Sequence, residues 1–171
     1  MQEGGGCRKA LAPKVTGLSL FGRAVPIFPT DAKAVFDLAA AQNGGVALSC
    51  SDEHFGVISN LLLPGRGKDT GDGWETKRTR GEHVDWAMVK LGAKGTIERV
   101  VVDTAHFRGN FPQKARVEGL NWGGGRGAGV ELVVPSKTGP DAVHEFVAMK
   151  LVMIPDGGDK RLQVWGARAT N

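Results

Sequence analysis

The chain reads as an all-β protein, a jelly-roll β-sandwich of about eight strands with one short helix. Three observations carry this expectation. Apolar runs of strand length recur along the chain, divided by turn signals at regular spacing. Glycine is abundant, 26 of 171 residues, against 6% aromatics and no tyrosine, which favours many short turns over long helices. The run 143–154 is apolar on both parities, as a central strand covered on both faces should be.

Taken in order, residues 15–21 form a strand in which Leu18 and Leu20 alternate with Gly17 and Ser19. Pro26 and Pro29 break the next stretch. Thr30 or Asp31 then caps a short helix through Phe36, Leu38 and residues 39–41, which Asn43-Gly44-Gly45 ends. Strand 46–49 leads into a polar cluster. Strands 86–91 and 96–102 are joined by Gly92-Ala93-Lys94-Gly95, a hairpin signal. Strands 116–120 and 131–134 flank the glycine-rich stretch 121–129, read as a surface connection. After loop 135–141 and strand 143–154, Pro155-Asp156-Gly157-Gly158-Asp159 makes a hairpin turn into 161–165. There Leu162 and Val164 alternate with Arg161 and Gln163.

The length suits one domain, residues 14–171, behind a flexible lead-in of residues 1–13. No apolar run is long enough to cross a membrane as a helix, and the first residues lack the apolar core of a signal peptide. Cys7 and Cys50 make no disulfide framework, so a reduced, intracellular setting is expected. The net charge of +4 does not point to nucleic acid. Basic residues are interleaved with acids, apart from Lys77-Arg78-Thr79-Arg80, and no zinc-finger or ribonucleoprotein pattern occurs. A modest basic excess fits a small anionic substrate.

Residues 50–112 hold most of the chemistry, in three polar clusters that each follow a strand-like run. Asp52, Glu53 and His54 set carboxylates beside an imidazole, the minimal kit for moving protons near neutral pH. The plain alternative is an Asx-type turn with a solvated histidine. Gly73, Trp74 and Glu75 combine a tight turn, an indole wall and a carboxylate able to accept from the N–H groups of a urea or amide; the alternative has Trp74 capping the core. Asp103 and His106 again stand at a strand end, with Arg108 and Asn110 just beyond. Lys90 lies in an apolar run and points either inward at an anion or outward as an edge lysine. His83 and His144 read as surface or structural. Gly67-Lys68 is followed by Asp69, so it is no phosphate loop, and no calcium loop is completed.

Taken together, Ser-Asp-Glu-His-Phe-Gly (51–56), Asn-Leu-Leu-Leu-Pro-Gly-Arg-Gly (60–67), Gly-Asp-Gly-Trp-Glu-Thr (71–76), Asp-Trp (85–86), Val-Lys-Leu-Gly (89–92) and Val-Asp-Thr-Ala-His-Phe-Arg-Gly-Asn-Phe-Pro (102–112) resemble the allantoicase family. The resemblance extends more weakly to Phe36–Gly45 and to Pro155-Asp156-Gly157-Gly158 with Arg161-Leu162 and Trp165-Gly166. It implies a galactose-binding-like jelly roll and hydrolysis of allantoate to ureidoglycolate and urea in purine breakdown. Family members carry two such repeats, and this chain has the length of one, resembling the second. A homo-oligomer, or pairing with another repeat, is therefore expected.

For that chemistry, Arg78, Arg108 or Lys90 can hold the substrate carboxylate, and Glu75 and Asn110 suit its ureido groups. His54 or His106, each with an acid near in sequence (Asp52 and Glu53, or Asp103), can serve as general acid or base, in either order. Asp52, Glu53, His54, Asp103 and His106 also supply ligand types for a divalent ion. No cofactor is required by the sequence, though the resemblance leaves manganese open. The compartment implied is the cytoplasm, with the peroxisome as the alternative. Two other classes stay in view, a non-catalytic ligand-binding module and an inert half-repeat that needs its partner.

Overall fold

The computed structural model describes residues 25–79, 81–120, 130–132 and 145–169. The strand expected at 15–21, the lead-in, the 121–129 loop and His144 lie outside the described residues. Among the described residues nine strands run in chain order: β1 Val35–Asp37, β2 Val46–Cys50, β3 Trp74–Glu75, β4 Asp85–Asp103, β5 Lys114–Leu120, β6 Val130–Leu132, β7 Glu145–Ile154, β8 Gly158–Asp159 and β9 Arg161–Arg168. All pairings are antiparallel. The main sheet runs β1-β9-β4-β7-β5-β6, with β2 also on β4, and β3 and β8 form a separate two-stranded ribbon.

Strand β4 organises the rest. Its first half pairs with β2 and β7, and its second half with β9. Fully extended, its 19 residues would span about 60 Å. Yet Met153, opposite Asp85, and Arg161, opposite Asp103, are only eight residues apart, a reach of at most about 28 Å. The two ends of β4 must therefore return to the same end of the molecule. Asp85 N–H bonds Pro155 O at 3.1 Å and Lys160 N–H bonds Asp103 O at 2.5 Å, so residues 155–160 tie both ends together.

The bend falls at Gly92–Gly95, where β4 advances five residues, Lys90 to Gly95, while β7 advances two, Ala148 to Phe146. This corrects the expected hairpin: the chain does turn there, but its two arms pair with other strands instead of with each other. Glycine is required because the backbone is crowded. A Cβ on Gly92 would fall on Asn43 O, and one on Gly95 on Ala167 O. A second irregularity between Ile97 and Arg99 shifts the inward set from odd to even positions. Ala87, Val89, Leu91 and Ile97 face the core before it and Val100 and Val102 after it.

The core lies between the halves of this folded sheet, with Leu162 and Val164 of β9 opposed by Val89, Val117, Met149, Leu151 and Met153. Strand β7 is central, and its Ala148, Met149, Leu151, Val152 and Met153 are buried, on both parities as the apolar run requires. The expected helix is absent. Asp31 closes a single turn through Lys33 N–H, and Val35–Asp37 pair with β9 instead. Asp37 Oδ1 then accepts from Ala39 N–H and Val164 N–H, pinning this edge strand. Burial pushes the Asp37 carboxyl up, against those amide bonds. Leu38, Ala39 and Ala40 are buried in succession, which is no helical stripe. What remains is one 3₁₀ turn, Ala41–Asn43, ended by Gly44 at φ +89°. The turn expected at Asp156-Gly157-Gly158 is likewise no hairpin. It links β7 to β9, which both pair with β4, and contributes β8 to the ribbon with β3.

Replacing Gly92 by Ala should destabilise the fold by at least roughly 1–3 kcal/mol, because rigid backbone meets the new methyl. Urea unfolding of Gly92→Ala against the parent measures it.

Candidate active site

Folding β4 back on itself brings the loops after β2, around β3, before and after β4, and between β7 and β9 to one end of the sandwich. Phe107 holds them there. It is 1% exposed, and a Cβ on Gly73 would approach its ring to 2.6 Å while one on Gly158 would fall within it. Both glycines exist to admit the ring, so Gly73 serves packing. Gly157, at φ +144°, lets the backbone of β8 lie against Asn110–Pro112, and Gly158 N–H bonds Asn110 O at 2.8 Å.

On this base a cleft of about 410 Å³ opens, walled by Arg78, Asn110, Phe111, Gln113, Pro155 and Asp156, with Thr79 and Gly109 completing its lining. A hydrogen-bonded line leads from it to Glu75: Arg78 donates to Asn110 Oδ1 at 3.3 Å, and Asn110 Nδ2 donates to Glu75 Oε1 at 2.8 Å. Thr79 N–H bonds Asp156 Oδ2 at 2.7 Å, which ties the segment after β3 to the one after β7. The Ile154–Pro155 peptide at this wall is cis. The cleft thus offers one exposed guanidinium, two amides and the carboxylate of Asp156 beside an apolar ring, with Glu75 bonded behind Asn110.

Of the residues expected to act, Glu75, Arg78 and Asn110 are brought together. Asp52 and Glu53 are turned to structural work. Asp52 Oδ2 accepts from Lys77 N–H at 2.8 Å and His54 N–H at 3.3 Å, and Glu53 accepts from Ile58 N–H at 3.1 Å. The His54 ring is exposed and meets Phe55 edge to face at 4.5 Å. Trp74 is fully buried in the core, its Nε1–H bonded to Asp52 O at 2.9 Å, so it caps the core and faces no ligand. Lys90 is exposed on the outer parity of β4, about 17 Å of strand from Asp85, and stands away from the cleft.

Asp103 is engaged by Arg66 through bonds of 2.9 and 3.2 Å, and that guanidinium holds its carboxyl below the usual range. His106, at φ +72°, makes no hydrogen bond to Asp103, and Arg108 is exposed nearby. The donors expected for a divalent ion are therefore committed elsewhere or dispersed. Among the described residues no three His, Cys, Asp or Glu side chains lie close enough to hold a metal. As placed, they do not fit a metal centre.

Three features escape a reading of the sequence. Lys160 and Arg161 are buried and converge on Asp72: Lys160 Nζ pairs with Asp72 Oδ1, and Arg161 bonds Asp72 Oδ2 at 3.0 Å. Asp159, at the end of β8, is fully buried with neither carboxylate oxygen hydrogen-bonded. Desolvation, reinforced by the charge of Asp103, pushes it up to about 7. Finally, His83 Nε2 lies 3.0 Å from Asp85 Oδ1, and Ser51 Oγ donates to the same oxygen at 2.7 Å. The His-x-Asp spacing just ahead of β4 is the available signal.

A family model described as an allantoicase repeat matches residues 36–169. The chain belongs to the allantoicase family. An allantoicase of Neurospora crassa is 53% identical over 166 residues, 88% of this chain and 47% of the relative. One of Saccharomyces cerevisiae is 51% identical over 86% of this chain and 48% of its own length. The crystal structure of the Saccharomyces cerevisiae allantoicase superposes with a TM-score of 0.70 at 52% identity, covering 85% of this chain and 45% of that one. A family 32 CBM from C. perfringens, solved with galactose, shares the fold alone at 16% identity and a TM-score of 0.52, with 77% of this chain and 99% of that one covered. This chain spans about half the length of the family members it matches. Among the described residues no helix is long and apolar enough to cross a membrane.

The Asp159 carboxyl lies above its ordinary 3.8, so between about pH 4 and 7 the unfolded chain binds fewer protons than the folded one. Stability drawn from this group is present at low pH and lost as pH rises through about 7. Asp159→Asn should therefore gain on the parent by on the order of 2–3 kcal/mol between pH 5 and pH 8. Urea midpoints of both proteins at the two pH values test this.

Proposed function

We propose that this chain hydrolyses allantoate to ureidoglycolate and urea, as part of purine breakdown. Allantoate carries a carboxylate and two ureido groups on one carbon. The reading rests on Arg78 and Asn110, which share the cleft wall, and on Glu75 bonded to Asn110 behind them. Arg78 is exposed and suits the carboxylate as a bidentate donor. Asn110 and Gln113 offer amide donors and acceptors to the ureido groups, and Glu75 and Asp156 accept from their N–H groups. Of the three cations expected to hold the carboxylate, Arg78 alone lines the cleft. The reaction belongs inside the cell, in the cytoplasm or the peroxisome.

Length favours a second reading. Because the family members it matches are about twice as long, the chain supplies one repeat that works beside another copy of itself or a second repeat. Urea release per chain that rises steeply with protein concentration, together with a dimeric mass in solution, supports that reading. A constant rate per monomer rejects it.

Arg78→Gln should raise KM for allantoate about 10- to 100-fold, the loss of one charge-assisted contact of roughly 1.5–3 kcal/mol, with a smaller change in kcat. Steady-state urea release measures both. An unchanged KM removes the cleft from the reading.

A further inference from the structure

We propose that His83 moves the proton during C–N cleavage, with Asp85 and Ser51 as its positioning residues; this rests on the reading of the cleft as the site of ureido hydrolysis. Asp85 opens β4 and is 1% exposed. Its Oδ1 receives Ser51 Oγ–H and the His83 ring, while its Oδ2 is buried without a hydrogen-bond partner. Ser51 is itself fixed, since its Oγ accepts from Trp86 N–H at 2.9 Å. A carboxylate held this way sets the tautomer of a neutral histidine. The proton sits on Nε2, facing Asp85, and the lone pair on Nδ1 is left to act as a base. The His83 side chain is 33% exposed, which leaves that nitrogen a route to water.

The dyad is joined to the cleft wall through its backbone. Asp85 N–H donates to Pro155 O, and Pro155 is part of the cleft wall. Thr79, four residues before His83, lines the cleft and is held to Asp156. Neither His54 nor His106 has a carboxylate on its ring, so His83 is the histidine among the described residues with an acid–base geometry already built. In the reaction the oxygen of water bonds to the central carbon and the C–N bond to one ureido group breaks. Nδ1 takes the proton from that water, and the same ring returns one to the departing nitrogen, which leaves as urea.

The test measures urea release and allantoate binding for the parent chain, His83→Ala, His83→Gln, His54→Ala and His106→Ala, with and without added imidazole. Far-ultraviolet circular dichroism checks the fold of each. Expected are a drop of about 10²- to 10⁴-fold in kcat for both His83 variants, retained binding, and partial recovery of His83→Ala by imidazole, while imidazole restores nothing in His54→Ala or His106→Ala. Parental turnover in folded His83→Ala, or loss that imidazole does not restore, overturns the role of His83 and leaves the proposed reaction standing. A parent chain that neither binds allantoate nor releases urea overturns the reaction and this inference together.

Discussion

Everything at the functional end depends on six residues, Pro155–Lys160, that bond to both ends of β4. A strand of 19 residues has no intrinsic reason to fold over. It does so because β7 and β9, which pair with its two halves, are joined by a short link that cannot span an extended strand. The link imposes the bend, and the glycines at positions 92 and 95 permit it where backbone from residues 43 and 167 crowds in. The same link then serves as wall and anchor for the cleft, through Pro155 and Asp156.

Polar burial at this end follows from that geometry. The link must pass under the loop that carries Phe107, and it carries Asp159, Lys160 and Arg161 inside with it. Two of these charges find Asp72 and backbone carbonyls. Asp159 finds nothing, and desolvation keeps it protonated to near neutrality. A buried cation that loses its partner is costly, so Asp72 is a structural ion and not a spare acid for catalysis.

Much of the architecture is legible in the sequence, since β2, β5, β7 and β9 announce themselves by apolar runs and turn residues. Period and composition are local properties, however. They do not say that the arms flanking Gly92–Gly95 pair elsewhere, or that Val35–Asp37 prefer an edge of β9 to a helical turn. The site is legible where side chains reach each other across loops, as Glu75, Arg78 and Asn110 do. It is illegible where backbone amides claim the acid, as at Asp52 and Glu53, because such bonds depend on how loops fold. Proximity in sequence suggests Asp103 for His106, yet space gives Asp103 to Arg66, 37 residues away. His83 reads as surface or structural in the sequence because Asp85 looks like an ordinary strand start.

The cleft's walls come from Arg78, Asn110 and Asp156, stretches that meet only when the sheet has closed. No hairpin or single loop holds a partial version of them. The bonds that join these stretches, Thr79 to Asp156 and Thr76 to Gly157, link residues 77 and 81 apart. Contacts of such range repay their chain entropy only late in folding. The site and the fold are thus acquired in one cooperative step, and a partly folded chain has no weakened site to show, only none.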